Sequence, residues 1–290
     1  MRIVVVGAGA WGTAFAAVLR DRGHDVFVAR RHTVDDAPYD EADLVVLAVP
    51  SHAFRGVLEH VSGRAPILSL TKGLDPAGGE RLSTLVRGRG VAVLSGPNMA
   101  EEIAEGLPSA AVIASEDEAL AVRLQEAINS PIFRVYVQMD LTGVELCGAA
   151  KNVIALAAGG VDGLGLGDNA KAALITRGLV EMARLGEACG AEQETFAGLA
   201  GMGDLIVTCF HQSGRNRRAG EMIARGATPE EARAAIGQVV EGLTTAPALR
   251  DLSRRIGVEL PITEGVCSVL DGRPLHELAA SLMGRRPTAE

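Results

Sequence analysis

The residues best suited to acid–base chemistry in this sequence are its few lysines. Of the 28 lysines and arginines among 290 residues, only Lys72, Lys151 and Lys171 are lysine. Arginine stays protonated in proteins, whereas burial can lower the pKa of a lysine until it releases a proton near neutral pH. Lys151 lies in the apolar, small-residue run LCGAAKNVIALAA at 146–158. It is a candidate general acid/base, although a lysine with a buried stem and a solvated head would give the same pattern.

A glycine-rich turn near the start of the chain could hold a dinucleotide. The hexapeptide GAGAWG at 7–12 follows a β-branched run and precedes a helical pattern. In this G-x-G-x-x-G context Gly7 permits the tight turn, Gly9 admits a pyrophosphate and Gly12 allows close helix packing. The helix N terminus then faces the phosphates. The glycine spacing and the charged residues that follow favour this interpretation over a secretion signal, which the apolar start could imitate.

Two arginines, Arg30 and Arg31, follow the second predicted strand. An NAD-specific protein usually carries an acidic residue there, which binds the ribose 2′-hydroxyl. Guanidinium groups suit a 2′-phosphate instead, so the sequence favours NADP(H) and leaves NAD(H) possible. A pair of solvated surface arginines is the alternative interpretation.

The elements that position these residues change in character near Met139. Before it, short β-branched runs predict strands at 2–6, 25–29, 44–49, 66–70, 91–94, 110–114 and 133–137. After it, the pattern predicts helices at 144–159, 169–189, 217–225, 229–236, 245–256 and 263–270. We therefore predict an α/β Rossmann-type doubly wound sheet at 1–139, followed by an all-α substrate and catalytic domain at 140–290.

Capping patterns and a glycine-rich stretch refine the helix predictions. Ser115 and Glu118 form a predicted capping box, and Thr228 before Pro229 is a second helix start. The sequence GLGLGDN at 163–169 follows a helix and lacks the GK[ST] ending of a phosphate loop. We therefore expect a tight turn between two helices there.

Polar residues at predicted element ends form the second half of a candidate site. Lys72 and Asn98 follow two of the strands, at the edge of a parallel sheet where ligands gather. In the helical half, Asp204 could anchor an ammonium group or a substrate hydroxyl. Arg215 and Asn216, at a predicted helix start, could bind a phosphate together with backbone N–H groups. Taken singly, an N-cap aspartate and an exposed basic helix end are the simpler explanations.

The net charge and the cysteine content limit the kinds of partner and metal site that this protein can have. A net charge of −8 argues against nucleic acid or an anionic membrane as the main partner. The four cysteines are far apart and show no metal-ligand spacing, so we predict reduced thiols and no metal site. We expect a cytoplasmic protein that acts on a small phosphorylated substrate, without stable membrane insertion.

Several ordered motifs together resemble the NAD(P)-dependent glycerol-3-phosphate dehydrogenases over nearly the whole chain. The segments are GAGAWGTA at 7, TKGL at 71, SGPNMAEE at 95, AAKNVIALAAG at 149, GLGLGDNAKAALITRGL at 163, GMGDLIVTC at 201, GRNRRAG at 214 and GQVVEG at 237. The resemblance implies a Rossmann domain followed by a helical substrate domain. It also implies a homodimer and the reversible reduction of dihydroxyacetone phosphate to sn-glycerol 3-phosphate, which supplies glycerophospholipid synthesis.

The resemblance also implies residue roles. Lys151 looks like the general acid/base, and Asp204 its polar partner. The substrate would contact Lys72, Gly96, Asn98, Asp204, Gly214, Arg215 and Asn216. The cofactor would contact Gly7, Gly9, Ala10, Trp11, Gly12, Arg30, Arg31, Lys72, Ala100, Arg215, Val239 and Glu241. If Lys72 lies close to Lys151, its charge would also depress the pKa of Lys151.

Two departures from the family pattern bear on these roles. The segment between Arg31 and Asp43 is much shorter than usual, which affects the adenine side of the cofactor site and the choice between NADP(H) and NAD(H). Gly214 replaces the serine of most bacterial members, but eukaryotic relatives also have glycine there, so a backbone N–H contact could survive without the hydroxyl. Two other functions stay open: a β-hydroxyacid dehydrogenase acting on a carboxylate substrate, and a non-catalytic dinucleotide sensor.

Overall fold

Seven strands form one twisted sheet in the amino-terminal half of the computed structural model, which describes residues 1–277. The strands are β1 (Arg2–Val6), β2 (Asp25–Ala29), β3 (Leu44–Leu47), β4 (Ile67–Ser69), β5 (Val91–Ser95), β6 (Ser109–Ala114) and β7 (Phe133–Gln138). Their spatial order is β2-β1-β3-β4-β5-β6-β7. Neighbours are parallel except β5 and β6, which are antiparallel. The order reverses direction between β1 and β3, and ligands of such sheets bind at that point.

Helices cover the sheet because the strands are apolar on both faces. They are α1 (Ala10–Asp21), α2 (Ser51–Leu58), α3 (Ala100–Ala104) and α4 (Glu118–Ile128). One face packs around Phe15 and Phe133, whose rings meet edge to face at 6.1 Å. The other face packs around Phe54 and Leu82. Burial on both faces accounts for continuous Val, Ile and Leu runs in place of alternation.

Eight further helices follow the sheet within the described residues. They are α5 (Leu141–Gly163), α6 (Gly167–Ala188), α7 (Gln193–Ala197), α8 (Asp204–Phe210), α9 (Arg215–Ala224), α10 (Pro229–Ile236), α11 (Glu241–Ile256) and α12 (Pro261–Leu270). A π-helical turn, Leu199–Gly203, leads into α8. The predicted turn at 163–169 is the short connection between α5 and α6.

The central helix of this half is α5, and its small residues let α9 cross it closely. A Cβ on Gly159 would lie 1.8 Å from the backbone oxygen of Arg217, and one on Gly220 would lie 1.9 Å from that of Leu156. Only glycine permits such an approach at either position. By length and composition α5 could span a membrane, but 89% of its apolar window is buried inside the protein. It is the core helix of this half, and the buried Lys151 lies in its middle.

Some details differ from the sequence predictions. The cap of α4 is Asp117, whose side chain accepts from the N–H of Leu120. The predicted Ser115–Glu118 capping box is therefore wrong, because Ser115 donates its hydroxyl to Val91 instead. The box of Thr228 and Glu231 at α10 is present. Short helices α7 and α8 were not predicted. The proposed domain boundary falls between β7 and α5, and residues 278–290 of the predicted second domain lie outside the described residues.

Candidate active site

The β1–α1 turn has the shape that a dinucleotide pyrophosphate requires. Gly7 has φ +112°, and a Cβ there would lie 2.3 Å from the carbonyl oxygen of Ala48 at the end of β3. A Cβ on Gly12 would lie 2.0 Å from the oxygen of Gly7. Both positions therefore need glycine, one for the turn and one for the close packing of α1 on it. Together they place the first turn of α1 at the carboxyl edge of the sheet.

Open space and unpaired donors at this turn fit a nicotinamide dinucleotide. Among the described residues, nothing lies within 4 Å of a Cβ placed on Gly9, and no side chain caps the N terminus of α1, which begins at Ala10. The indole N–H of Trp11 is buried and has no hydrogen-bond partner within residues 1–277, while its ring packs on Phe15 at 5.5 Å. Free N–H groups at a helix N terminus bind phosphate oxygens. The residues present thus fit the predicted cofactor.

Lys151 and Asp204 form a buried ion pair where the helical half meets the sheet edge. The ammonium of Lys151 donates to Oδ1 of Asp204 at 2.5 Å and to the hydroxyl of Thr208 at 2.8 Å. Lys151 is 6% exposed and Asp204 is 1% exposed. The amine is therefore held inside the protein, and it does not extend into solvent. A buried, charged pair of this kind costs desolvation energy and is typical of functional sites.

A second ammonium shares the same carboxylate. Lys72, which follows β4, donates to Oδ2 of Asp204 at 2.6 Å and to the carbonyl oxygen of Gly96 at 3.0 Å. Gly96 has φ +142°, and a Cβ on it would lie 2.9 Å from the oxygen of Ala110. The strained glycine turns its carbonyl toward Lys72. One carboxylate thus fixes two lysines, one from each half of the chain.

The charges of this group set its proton affinities. Burial lowers the pKa of Lys151 from 10.5 to about 8; the carboxylate of Asp204 opposes the shift, and the nearby charge of Lys72 adds to it. Burial by itself would raise the pKa of Asp204, but the ammonium groups of Lys151 and Lys72 outweigh it and hold that pKa below its usual range. Asp204 is therefore ionised at neutral pH. Lys151 can gain or lose a proton at a pH close to neutral.

Asn98 lies beside this group at the exit of β5. Its Nδ2 donates to the hydroxyl of Ser109 and to the oxygen of Ala110, both at 2.9 Å. These bonds leave its Oδ1 buried and without a partner among the described residues. An oriented, unused acceptor at the carboxyl end of a strand suits a hydroxyl or amide N–H of a ligand.

A chain of amides connects Asn216 to this group. Asn216 donates to Oδ1 of Asn152 at 2.8 Å, and Asn152 donates to the backbone oxygen of Lys72 at 3.2 Å. The oxygen of Asn216 accepts from the N–H of Gly242 at 2.9 Å. The predicted phosphate ligand Asn216 thus holds α9 against α5 and α11, and one of its amide hydrogens stays available.

The N terminus of α9 presents the remaining basic group. Arg215 is exposed, and no side chain in the described part of the chain caps the helix. The N–H of Gly214 donates to the oxygen of His211 at 3.0 Å, so it is not free as we had expected for a phosphate contact. The available donors are the Arg215 side chain and the first N–H groups of α9. Such a helix end binds dianions well.

The other predicted cofactor residues lie around the same edge. Glu241 accepts from the backbone N–H and the hydroxyl of Ser51 at 3.1 and 2.6 Å, so its carboxylate joins α11 to the start of α2. Val239 precedes it, and Ala100 begins α3, which packs on α1. Exposed Arg30 and Arg31 follow β2, and neither side chain makes a hydrogen bond or ion pair within residues 1–277.

Sequence reasoning missed three contacts of the lysine group: Thr208, Asn152 and the hydroxyl of Ser95, which lies 3.5 Å from Oδ2 of Asp204. Thr208 is one helical turn after Asp204, at the i+4 spacing that places both on one face. That spacing was the available signal. Asn152 is adjacent to Lys151 in sequence, but its role depends on contacts with distant segments.

Two family models match the chain and together cover most of it. The model of the NAD-dependent glycerol-3-phosphate dehydrogenase C terminus matches residues 140–279, and that of the N terminus matches 2–38 and 34–121. The chain belongs to the NAD-dependent glycerol-3-phosphate dehydrogenase family. The break in the N-terminal match falls in the segment after β2 that is short in this sequence.

Individual relatives agree with this membership. The glycerol-3-phosphate dehydrogenase [NAD(P)+] of Halorhodospira halophila is 44% identical, with 99% of this chain and 98% of the relative covered. That of Moorella thermoacetica is 43% identical, with 99% and 97% covered. The crystal structure of glycerol-3-phosphate dehydrogenase from Coxiella burnetii is 36% identical and superposes with a TM-score of 0.92, with 98% and 99% covered. The first alignment extends over 325 positions, so that relative contains residues that this chain lacks.

These findings confirm the predicted family and fold class. They also confirm the predicted oxidoreductase function and the use of a nicotinamide cofactor, NAD(H) or NADP(H). In this family member the glycine turn and the paired lysines lie at the carboxyl edge of the sheet, and Asn216 connects the first turn of α9 to the lysines through Asn152. The roles of individual residues remain predictions.

Proposed function

We propose that the site around Lys72, Lys151 and Asp204 interconverts dihydroxyacetone phosphate and sn-glycerol 3-phosphate, with Lys151 as the general acid/base. The observation that carries the proposal is the buried lysine of α5, held by Asp204 beside the carboxyl ends of β4 and β5. When bound, the nicotinamide cofactor supplies the hydride that the C2 carbonyl of the ketone accepts. The product would supply glycerophospholipid synthesis.

Side chains of the protein stabilise and protonate the substrate oxygen on which negative charge develops. In the reducing direction the ammonium of Lys151 stabilises negative charge on that oxygen and donates a proton to it; in the oxidising direction the neutral amine takes the proton back. Asp204 keeps the amine in one position, and Thr208 accepts from it. Lys72 adds positive charge near the same oxygen. The unused Oδ1 of Asn98 would orient the substrate by accepting from one of its hydroxyl groups.

The phosphate of the substrate would bind at the N terminus of α9. Arg215 provides a bidentate donor, and the first N–H groups of the helix add further donors. The overall charge of the chain is −8, so a dianion needs such a local basic site. Initial-rate measurements of NADPH oxidation on addition of dihydroxyacetone phosphate test the proposal. A protein that binds NADPH without oxidising it under these conditions would be a non-catalytic dinucleotide sensor and not an enzyme.

The rate of ketone reduction should depend on pH through Lys151. Reduction needs the protonated amine, whose pKa is lowered to about 8. We expect kcat/KM for dihydroxyacetone phosphate to be level below pH 8 and to fall above it, about tenfold per pH unit. Oxidation of glycerol 3-phosphate needs the neutral amine, so its kcat/KM should rise up to about pH 8. Profiles measured in both directions from pH 6 to 10 test this, and a flat profile in the reducing direction would contradict it.

Cofactor preference should depend on the arginines after β2. We expect kcat/KM for NADPH to exceed that for NADH, and Arg31→Ala to lower the NADPH value about tenfold while the NADH value hardly changes, because an arginine–phosphate pair is lost. Initial rates with both cofactors measure this. Arg87→Ala is a matched control: it removes an exposed arginine that precedes the amino end of β5, whereas Arg31 follows the carboxyl end of β2. Equal losses with NADPH and NADH would contradict a 2′-phosphate contact.

A cytoplasmic homodimer is also part of the proposal. An apolar groove between α6 and α12 supports self-association; its lining includes Leu166 and Val180, both about half exposed. Apolar grooves of this kind are common at protein interfaces. Sedimentation equilibrium of the full chain would distinguish a dimer from a monomer.

A further inference from the structure

Lys171, the third lysine of the chain, takes no part in the proposed proton transfer. It lies on α6, is 4% exposed, and donates to Oδ2 of Asp162 at 2.8 Å. Its ammonium also lies 4.8 Å from the centroid of the Phe210 ring. Phe210 is the last residue of α8. An ammonium held by a carboxylate and an aromatic face has little freedom to move, so Lys171 connects the end of α8 to α5 and α6.

Arg217 uses the same carboxylate from the other side. On the first turn of α9, its Nε donates to Oδ2 of Asp162 at 2.6 Å. Its Nη1 donates to the backbone oxygen of Gln212 at 3.5 Å and lies 3.6 Å from a carboxylate oxygen of Glu221. Arg217 is therefore bonded both to α5 and to the loop 211–214 that precedes Arg215.

The loop 211–214 is thus held at both ends by one carboxylate. Lys171 fixes the residue before the loop, and Arg217 fixes the loop itself and the helix after it. Asp162 lies near the C terminus of α5, where the helix dipole disfavours a negative charge. The two cations compensate that cost and tie α6 and α9 to a single oxygen atom of α5, Oδ2 of Asp162.

We propose that Asp162, Lys171 and Arg217 are positioning residues for the substrate phosphate. They would hold the N terminus of α9 and Arg215 in the geometry that receives the phosphate, without touching it. This inference rests on the proposed phosphate site at α9 and adds the residues that preorganise it. A preformed anion site loses less entropy on binding than one that must order first.

Asp162→Asn removes a charge but preserves the size of the side chain. A purely electrostatic role and a positioning role of Asp162 predict opposite changes in the affinity for phosphate. By charge alone, removal of a carboxylate near a dianion site should tighten phosphate binding. If Asp162 positions the loop, the same change should weaken it. We expect KM for dihydroxyacetone phosphate to rise about tenfold with kcat within about threefold of wild type, because the loss falls on substrate binding. The Kd of inorganic phosphate, measured by calorimetry on the NADPH-loaded full-length enzyme, should rise by the same factor.

Two further variants complete the test. Asp168→Asn removes an exposed carboxylate that has no hydrogen bond or ion pair within residues 1–277, and should leave KM and the phosphate Kd within about twofold of wild type. Lys171→Gln keeps the Asp162–Arg217 pair but frees Phe210, and should raise both constants about threefold. If Asp162→Asn does not fold, the Lys171→Gln variant tests the positioning role instead.

The outcomes separate this inference from the proposed function. An unchanged or tighter phosphate Kd in a folded Asp162→Asn or Lys171→Gln variant overturns the positioning role, as does a wild-type enzyme that binds no inorganic phosphate. A wild-type enzyme that binds phosphate but does not turn over dihydroxyacetone phosphate overturns the proposed function alone. In that case the calorimetric comparison still decides whether the cluster organises an anion site.

Discussion

Replacing Lys151 by alanine is expected to lower kcat for dihydroxyacetone phosphate by about 10²–10⁴-fold, the usual contribution of a positioned proton donor. Binding of NADPH should persist, because the glycine turn of β1 and α1 does not contact this amine. Burial disfavours the charged amine, and Lys72 still neutralises Asp204 in the variant. We therefore expect the variant to fold, and stopped-flow or steady-state rates can be compared with NADPH binding measured by fluorescence.

Lys151→Arg separates proton transfer from positive charge. Arginine would keep a cation beside Asp204 but stays protonated at all accessible pH values. It should therefore recover little of the lost rate, and the fall in activity above pH 8 should disappear. A near-normal kcat in Lys151→Ala, or full activity in Lys151→Arg, would contradict a role for Lys151 as general acid.

Local patterns in the sequence were sufficient for much of the fold and part of the site. The seven strands, the glycine turn and the position of Lys151 on a buried helix follow from patterns of ten to twenty residues. Each of these signals is contained in one stretch of chain: β-branched runs for strands, glycine spacing for the turn, and a lysine among small apolar residues for the buried helix α5. The resemblance of eight such motifs, in the same order, to one enzyme family then predicted the function.

The contacts that assemble the site could not be predicted in the same way. Asp204 joins Lys72 and Lys151, which are 79 residues apart in the sequence, and no local pattern specifies that one carboxylate serves both. The antiparallel pairing of β5 and β6 likewise depends on how distant segments return to the sheet. Gly214 shows the limit most clearly: its N–H was expected to meet a phosphate, but the turn before α9 directs it to His211.

Replacing Asp204, the carboxylate that the two lysines share, is expected to have the second largest effect on the rate of ketone reduction. Asp204→Asn removes the negative charge that raises the pKa of Lys151, while Lys72 continues to lower it. The amine should then lose its proton below pH 8, so at pH 7.5 a smaller fraction can act as the acid and neither lysine is held by an ion pair. We expect kcat/KM for dihydroxyacetone phosphate to fall about 10²-fold at that pH.

The pH dependence of this loss distinguishes its cause. Because the change lowers a pKa, the deficit of Asp204→Asn should be smaller at pH 6 than at pH 8.5, and the descending limb of its rate profile should lie below that of wild type. Thr208→Val is the matched control, since it removes the other hydrogen-bond partner of Lys151 without a change of charge; it should cost less than about tenfold. Circular dichroism melting shows whether each variant is folded. A deficit that is equal at pH 6 and pH 8.5 would mean that Asp204 acts only by holding the two lysines in place, and that its charge does not set the proton affinity of Lys151.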